Sequence, residues 1–234
     1  MKGFKITEIT GRERKERRDV VTAEFPLTVE VNSKKTAELA CTPGNLKDLA
    51  VGYLYTAGFI NSRADLLSLR IERSRHKAVA ETRFPLSPVI SPRQKKRTEP
   101  LFFVESKNIL HLINKFQKAS AEFLRTGGTH SAALCSHKKI LFFREDLGRH
   151  NALDKVIGAA LLKQDKLSRK IVLISSRVPS EILLKIVRSR MELLVSLGAP
   201  TDRAIEIARR ERITLIGFAR GNRFNIYSSA DRVI

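Results

Sequence analysis

Three short runs, Ile171-Val172-Leu173-Ile174, Leu193-Leu194-Val195 and Ile213-Thr214-Leu215-Ile216, are almost wholly apolar and alternate with segments of helical periodicity. No other feature limits the fold as much. A run that is apolar on both faces predicts a strand buried on both sides. Between the first two runs, Ile182, Leu183, Ile186 and Val187 mark one face of a helix, and Pro200-Thr201 opens another helix through Arg209. Buried strands separated by amphipathic helices imply an α/β architecture with a largely parallel sheet covered on both faces. Phe224 to Tyr227 is expected to add a strand after the Arg220-Gly221-Asn222 turn. Ligands of open α/β sheets bind outside the carboxyl ends of the strands. Those ends are Ser175-Ser176-Arg177, Ser196-Leu197-Gly198 and Gly217-Phe218-Ala219-Arg220-Gly221. Each offers small residues, hydroxyls or a guanidinium that suit a phosphate. Singly, each has a plainer reading: Ser180 and Thr201 as N-caps, and the glycines as ordinary turns. Three such segments at one sheet edge favour a nucleotide or a phosphorylated cofactor.

Upstream, Ile109, Leu112, Ile113, Phe116 and Phe123 predict a helix that ends before Thr126-Gly127-Gly128-Thr129-His130, with two short strands after it. Further back, residues 4 to 9 and 20 to 40 alternate as strands do, and the charged run Arg12 to Arg18 separates them. Asn45 is placed to cap a helix with Leu46, Leu49, Ala50, Tyr53, Leu54 and Ala57 on one face, and Gly58 is placed to stop it. Another strand-like stretch runs from Leu66 to about Arg83. Then Pro85, Pro88, Pro92 and Pro100 punctuate a segment carrying Arg93, Lys95, Lys96 and Arg97, the composition of an exposed, mobile loop. The domain junction is expected there, giving a small N-terminal α+β domain over 1–100 and an α/β domain over 101–234.

The stretch Arg144-Glu145-Asp146-Leu147-Gly148-Arg149-His150-Asn151-Ala152-Leu153-Asp154-Lys155 gathers many chemical types at a strand-to-helix junction. Leu153, Val156, Ile157, Ala160 and Leu161 continue it as an amphipathic helix. Free backbone N–H groups and the helix dipole favour an anion at such a junction, and Gly148 permits a tight turn and a close ligand. His150 and Asp154 stand four apart on one side of the helix, so the carboxylate can orient and charge the imidazole, and a purely structural pair is an equal alternative. Helix capping by solvated ion pairs is the plainer alternative.

With 44 Lys and Arg against 24 Asp and Glu, the formal charge is +20, which calls for acidic partners: nucleic acid, a nucleotide, a phosphorylated cofactor or an acidic protein. Trp is absent and the basic residues are scattered, which weakens a single-strand stacking platform. No run of about 18 apolar residues exists and Met1 to Lys5 lacks a signal-peptide core, so a cytoplasmic protein with no membrane partner is expected. Two cysteines, Cys41 and Cys135, fit a reducing compartment. Cys135 reads as a small buried hydrophobe, and Cys41, before the Pro43-Gly44 turn, as the more exposed.

The ordered set Cys41-Thr42-Pro43-Gly44, Thr126 to His130, Arg144 to Lys155, Ser176-Arg177, Ala199-Pro200-Thr201 and Gly217 to Gly221 resembles the formate dehydrogenase accessory protein family, FdhD/NarQ. The resemblance implies a cytidine deaminase-like three-layer α/β/α sandwich beside the smaller N-terminal domain. It also implies a homodimeric sulfurtransferase and chaperone. Such a protein takes persulfide sulfur from a cysteine desulfurase to the molybdenum cofactor, in its bis-molybdopterin guanine dinucleotide form, before insertion into formate dehydrogenase. The residues carried over as cofactor-binding are Thr129, His130, Arg149, His150, Asp154, Ser176, Arg177, Phe218, Ala219, Arg220, Gly221, Asn222 and Arg223, with GDP as an analogue of the nucleotide end. One departure stands out. The family's loop Cys-x-x-Cys has no counterpart in Phe84 to Pro100, and Ser87 or Ser91 cannot accept persulfide sulfur. No catalytic cysteine is therefore assigned, and a cofactor-binding chaperone without sulfur transfer is the alternative. A basic nucleic-acid-binding module is the rival from another class, with no recognised motif behind it. The deaminase zinc signature is absent, so no metal ligands are expected and deamination does not follow from the fold. A hydrolase or deaminase built on His130 and His150 fails for want of a metal set or a nucleophile triad.

Overall fold

The charged run Arg12 to Arg18 is not a separator: Arg12 sits in a turn and Glu13 to Arg18 belong to a strand. In the computed structural model, which describes residues 1–83 and 102–234, Lys2–Thr10 (β1) and Glu13–Val21 (β2) form an antiparallel hairpin. Its residues are nearly all exposed, so no buried face imposed an apolar alternation on β2. Phe25–Val31 (β3) and Lys34–Cys41 (β4) make the next hairpin, with Leu27, Val29 and Val31 pointing inward. Leu46–Ala57 (α1) follows. Asn45 precedes it in a left-handed conformation, φ 56°, and its side chain makes no cap bond. Only its carbonyl serves, accepting Leu49 N–H at 3.0 Å, because a side-chain cap needs an extended backbone. Gly58 ends the helix as expected, at φ 93°. The single stretch expected over 66–83 is a hairpin, Leu66–Glu72 (β5) and Lys77–Thr82 (β6). The sheet order is β4-β3-β6-β5, and α1 closes its apolar face. The proline-rich loop and the expected domain junction lie outside the described residues.

Beyond that segment come Ser106–Ala119 (α2), Ala121–Thr126 (α3), His130–Cys135 (β7), Ile140–Asp146 (β8) and Arg149–Leu162 (α4). Ile171–Ile174 (β9), Ser180–Arg188 (α5), Leu193–Ser196 (β10), Asp202–Arg210 (α6), Thr214–Arg220 (β11) and Arg223–Ser228 (β12) complete the chain. Ser120 breaks the helix expected through Phe123. Its hydroxyl bonds the Phe116 carbonyl and the Ser131 hydroxyl, and Phe123 emerges 48 % exposed.

The six strands run in the order β12-β11-β10-β9-β7-β8. Pairing is parallel only across β9-β10-β11; β12, β7 and β8 are antiparallel. The expectation of a largely parallel sheet is corrected to that extent, because the β7–β8 and β11–β12 connections are short turns that permit only antiparallel pairs. Coverage of both faces holds. Ala132, Leu134, Val172, Ile174 and Leu194 pack toward α4, α5 and α6, whereas Ala133, Cys135, Leu173, Val195 and Ile216 pack toward α2.

The helix after the polar stretch is not amphipathic in the surface sense: α4 is buried continuously from Asn151 to Ala160. Leu153, Val156, Ile157 and Ala160 cover the large sheet. Its other side meets α1, backbone to backbone. A Cβ at Gly52 would stand 1.8 Å from the Asp154 carbonyl oxygen, and one at Gly158 would stand 1.9 Å from that of Asp48. Neither carbonyl can step aside without moving a helix. Gly158→Ala is therefore expected to cost about 3 kcal/mol in urea unfolding. Gly44→Ala, whose Cβ would meet nothing within 4 Å, is expected to stay within about 0.5 kcal/mol. Equal losses in the two variants would remove the crossing from this account.

Candidate functional site

Topology brings the singled-out segments to one edge of the large sheet. Because β7 is antiparallel to β9, its first residue, His130, lies beside the end of β9. Ser131 N–H donates to the Ser175 hydroxyl at 2.9 Å, and Ser175 N–H donates to the Ser131 carbonyl at 3.0 Å. The end of β8 lies opposite the start of β7, with His130 paired to Asp146, so the following turn sets Arg149 and His150 at the same edge. Next along the edge, the Ser196 hydroxyl donates to the Ser176 carbonyl and accepts Gly198 N–H at 3.0 Å. Phe218 N–H then donates to the Gly198 carbonyl at 3.0 Å.

Cations dominate this edge. Arg149 Nε is buried and has no hydrogen-bond partner among the described residues. Burial, and then the charge of Arg149, hold the His130 imidazole below the usual histidine range. Arg177, Arg220, Asn222 and Arg223 are exposed around the rim. Phe218 has φ 52°, a left-handed conformation that costs a bulky residue about 1–3 kcal/mol, and its ring is 45 % exposed. The register of β11 against β12 shifts there, from Gly217 to Arg220. Ala219 is buried, and Gly221 turns the chain at φ 58°. Two concavities, of about 290 and 440 Å³, lie away from this edge, one at the Thr42–Asn45 turn and the other between Asn61–Ala64 and Gln164–Ser168.

The Arg144 to Lys155 stretch has two faces, and only one belongs to that edge. Asp146 and Lys155 are completely buried and 2.5 Å apart. The Asp146 carboxylate also accepts Thr42 N–H at 3.0 Å, Gly148 N–H at 3.1 Å and Asn151 Nδ2 at 2.9 Å. Lys155 Nζ donates to the Thr42 hydroxyl at 2.6 Å. The anion expected at the start of α4 is thus supplied by the chain itself. Gly148, expected to admit a ligand, instead makes room for Asn151, whose amide nitrogen would be 3.1 Å from an added Cβ.

Two further expectations change. Asp154 does not serve His150: its carboxylate turns away to Lys185 Nζ at 2.5 Å and the Thr56 hydroxyl at 2.9 Å. The imidazole of His150 stands 3.4 Å from Glu181 instead. Burial, then Lys185 and Arg149, lower its pKa, and Glu181 and Asp154 oppose this more weakly. Thr129 is buried and gives its hydroxyl to Glu145, whose carboxylate also accepts the Glu122 and Phe123 N–H groups that begin α3. Asp154 and Thr129 therefore tie elements together, while His130, Arg149, Ser176, Arg177 and the Phe218 to Arg223 segment share the edge. No spacing rule could reveal Thr42, Thr56, Lys185 or Glu181 as partners, since each comes from another element.

Residues 22–101 and 89–234 match the model of the FdhD/NarQ family. The chain belongs to that family. A sulfur carrier protein FdhD of Listeria innocua is 35 % identical over 91 % of this chain and 91 % of its own length. The FdhD of Bacillus pumilus is 36 % identical over 92 % and 90 %, and that of Bacillus licheniformis 33 % over 98 % and 95 %. Among solved structures, a protein described as a formate dehydrogenase accessory protein from Desulfotalea psychrophila superposes with a TM-score of 0.86 over 99 % of this chain and 98 % of its own, at 22 % identity, a likeness of fold.

Both thiols of this FdhD/NarQ member lie inside its cores. Cys135 is buried among the residues facing α2, as expected, and burial pushes its thiol up to about 12. Cys41, expected to be the more exposed, is equally buried, and its Sγ donates to the Phe25 carbonyl at 3.3 Å. Burial and then the Asp146 carboxylate push it up to about 12, with Lys155 opposing. The correction follows from β4: its last residue closes the small core before the Pro43-Gly44 turn begins. Neither sulfur is an accessible thiolate.

The buried pair makes a stability test. Lys155→Met leaves the Asp146 charge without its counter-ion and is expected to cost about 3–5 kcal/mol in denaturant unfolding. Adding Asp146→Asn, which removes the orphaned charge as well, is expected to recover part of that loss.

Proposed function

We propose that this chain is a formate dehydrogenase accessory protein that holds the guanine dinucleotide form of the molybdenum cofactor along the strand-end edge. In this reading it carries no sulfur on a thiol of its own. The observation behind the cofactor site is the unpartnered, buried Arg149 Nε beside His130, on the edge where β9, β10 and β11 end. A diphosphate suits Arg149, Arg177 and the backbone donors around Ser176. An exposed aromatic ring at Phe218 suits a purine, with Arg220, Asn222 and Arg223 at the rim. The cofactor is cargo, and the chemistry it supplies is exercised in the enzyme that receives it. What this chain does is bind and orient the nucleotide end. Delivery to formate dehydrogenase, a homodimeric state and a cytidine deaminase-like layering belong to the same reading.

Sulfur transfer from a cysteine desulfurase, expected from the family resemblance, needs a thiolate that can attack and be attacked. The chain has only Cys41 and Cys135, and burial works against both. The chain thus holds the cofactor without a persulfide relay of its own.

GDP titration by calorimetry tests the first part. Binding is expected, weakening with salt as a charge-held site should. Arg149→Met is expected to reduce affinity about tenfold or more, the worth of a charge-assisted hydrogen bond. No binding at millimolar GDP, or equal binding in Arg149→Met and Arg220→Ala, would sink it. For the second part, incubation with a cysteine desulfurase and cysteine should leave both thiols unmodified by mass spectrometry. A persulfide on either would restore the relay.

A further inference from the structure

The β1–β2 arm supplies none of the residues assigned above to the cofactor site, and the family model matches from Thr22 onward. The two strands form a sheet of their own with no third strand among the described residues. Their outer edges make no backbone hydrogen bonds to any described residue. Thr22, at the base, bonds the Thr126 hydroxyl at 2.8 Å, and only Ile6 and Asp19 to Val21 are half-buried. In an antiparallel pair every second residue of an outer strand aims its N–H and C=O outward. Such an edge is a template for another strand, and two strands alone are marginal in water.

The register divides the charge. Lys5 lies opposite Arg18, Thr7 opposite Glu16 and Ile9 opposite Arg14, so one face carries Lys5, Arg14 and Arg18 against Glu16. The other carries Lys2, Lys15 and Arg17 against Glu8, Glu13 and Asp19. On that balanced face Arg17 is held by Glu8 at 3.1 Å and Asp19 at 3.2 Å. On the cationic face Lys5 pairs with Glu16 at 3.2 Å, but Arg14 and Arg18 make no ion pair among the described residues. Arg12 adds a further cation at the turn. An open edge of β2 thus runs beside two unpaired guanidiniums that stand on that same strand.

From this we infer that the arm is a docking site for an extended acidic peptide of a partner protein, which adds a strand at the edge of β2. Main-chain hydrogen bonds supply the affinity, and alternate carboxylates of the peptide fall beside Arg14 and Arg18 as cross-strand neighbours. A nucleic acid would match the charge alone. The cationic face offers Thr7 and Ile9 but no aromatic ring for stacking and no amide to read a base edge. A phosphate backbone would also leave the strand edge unpaired.

Fluorescence anisotropy of the full chain with a labelled Glu-Val-Glu-Thr-Glu-Val-Glu peptide tests this. Binding is expected, weakened roughly fivefold or more by Arg14→Glu with Arg18→Glu. Thermal melting and GDP titration of that variant are expected to be unchanged, which separates failure here from failure of the cofactor reading. The same peptide N-methylated at alternate residues keeps its charge but cannot pair, and is expected to bind roughly tenfold more weakly. Absence of binding, indifference to the two arginine changes, or equal affinity of the N-methylated peptide would overturn the proposal. So would an oligothymidylate that binds more tightly through Arg14 and Arg18.

Discussion

A carboxylate sealed from water must find all its partners within the protein, and Asp146 draws its partners from both halves of the chain. Thr42 comes from the turn after β4, while Gly148, Asn151 and Lys155 come from the start of α4. Satisfying that one group sets where the small sheet ends, where β8 stops and how α4 begins. Arg149 and His150 are aimed by the same turn. Such a pair adds little net stability over apolar packing, but breaking it is costly, so its effect is to make one arrangement much better than its neighbours. Arg144 reinforces the junction, its Nε donating to Asp48 at 2.7 Å across to α1.

Around that sealed knot the ionisable groups divide by environment. Lys155 and Lys185 are engaged by buried carboxylates, whereas among the described residues Arg149 Nε has no hydrogen-bond partner and Arg14 and Arg18, both exposed, make no ion pair. His130 and His150 are both held toward the neutral form, first by burial and then by neighbouring cations. An anion placed beside such groups would relieve the mutual repulsion of the cations and draw protons onto the imidazoles. The thiols show the reverse logic, since their surroundings favour the protonated, unreactive form.

Much of this architecture is legible from local pattern. Helix and strand periods locate α1, α2, α5, α6 and the buried strands β9, β10 and β11, and Thr201 does cap α6, its hydroxyl accepting Ala204 N–H at 3.3 Å. The convergence of strand ends follows from strand direction alone. What pattern does not reveal is which polar groups meet. Asp146 and Thr42 are 104 positions apart, and Lys185 reaches Asp154 from a different helix. The i, i+4 spacing made His150 and Asp154 look like partners, yet a nearby ammonium outcompetes an imidazole for a buried carboxylate. β2 escapes notice for another reason: a strand exposed on both faces has no burial period to display.

The crossing of α1 and α4 bears on how such a chain can change over time. Most packed interfaces drift because a larger side chain on one element is matched by a smaller one on the other. At Gly52 and Gly158 the contact is with main-chain carbonyls, which carry no side chain to trim. Compensation is closed at this spot, so a substitution there has to be undone rather than accommodated. The two helices are thereby held at a separation that no choice of side chain can reset.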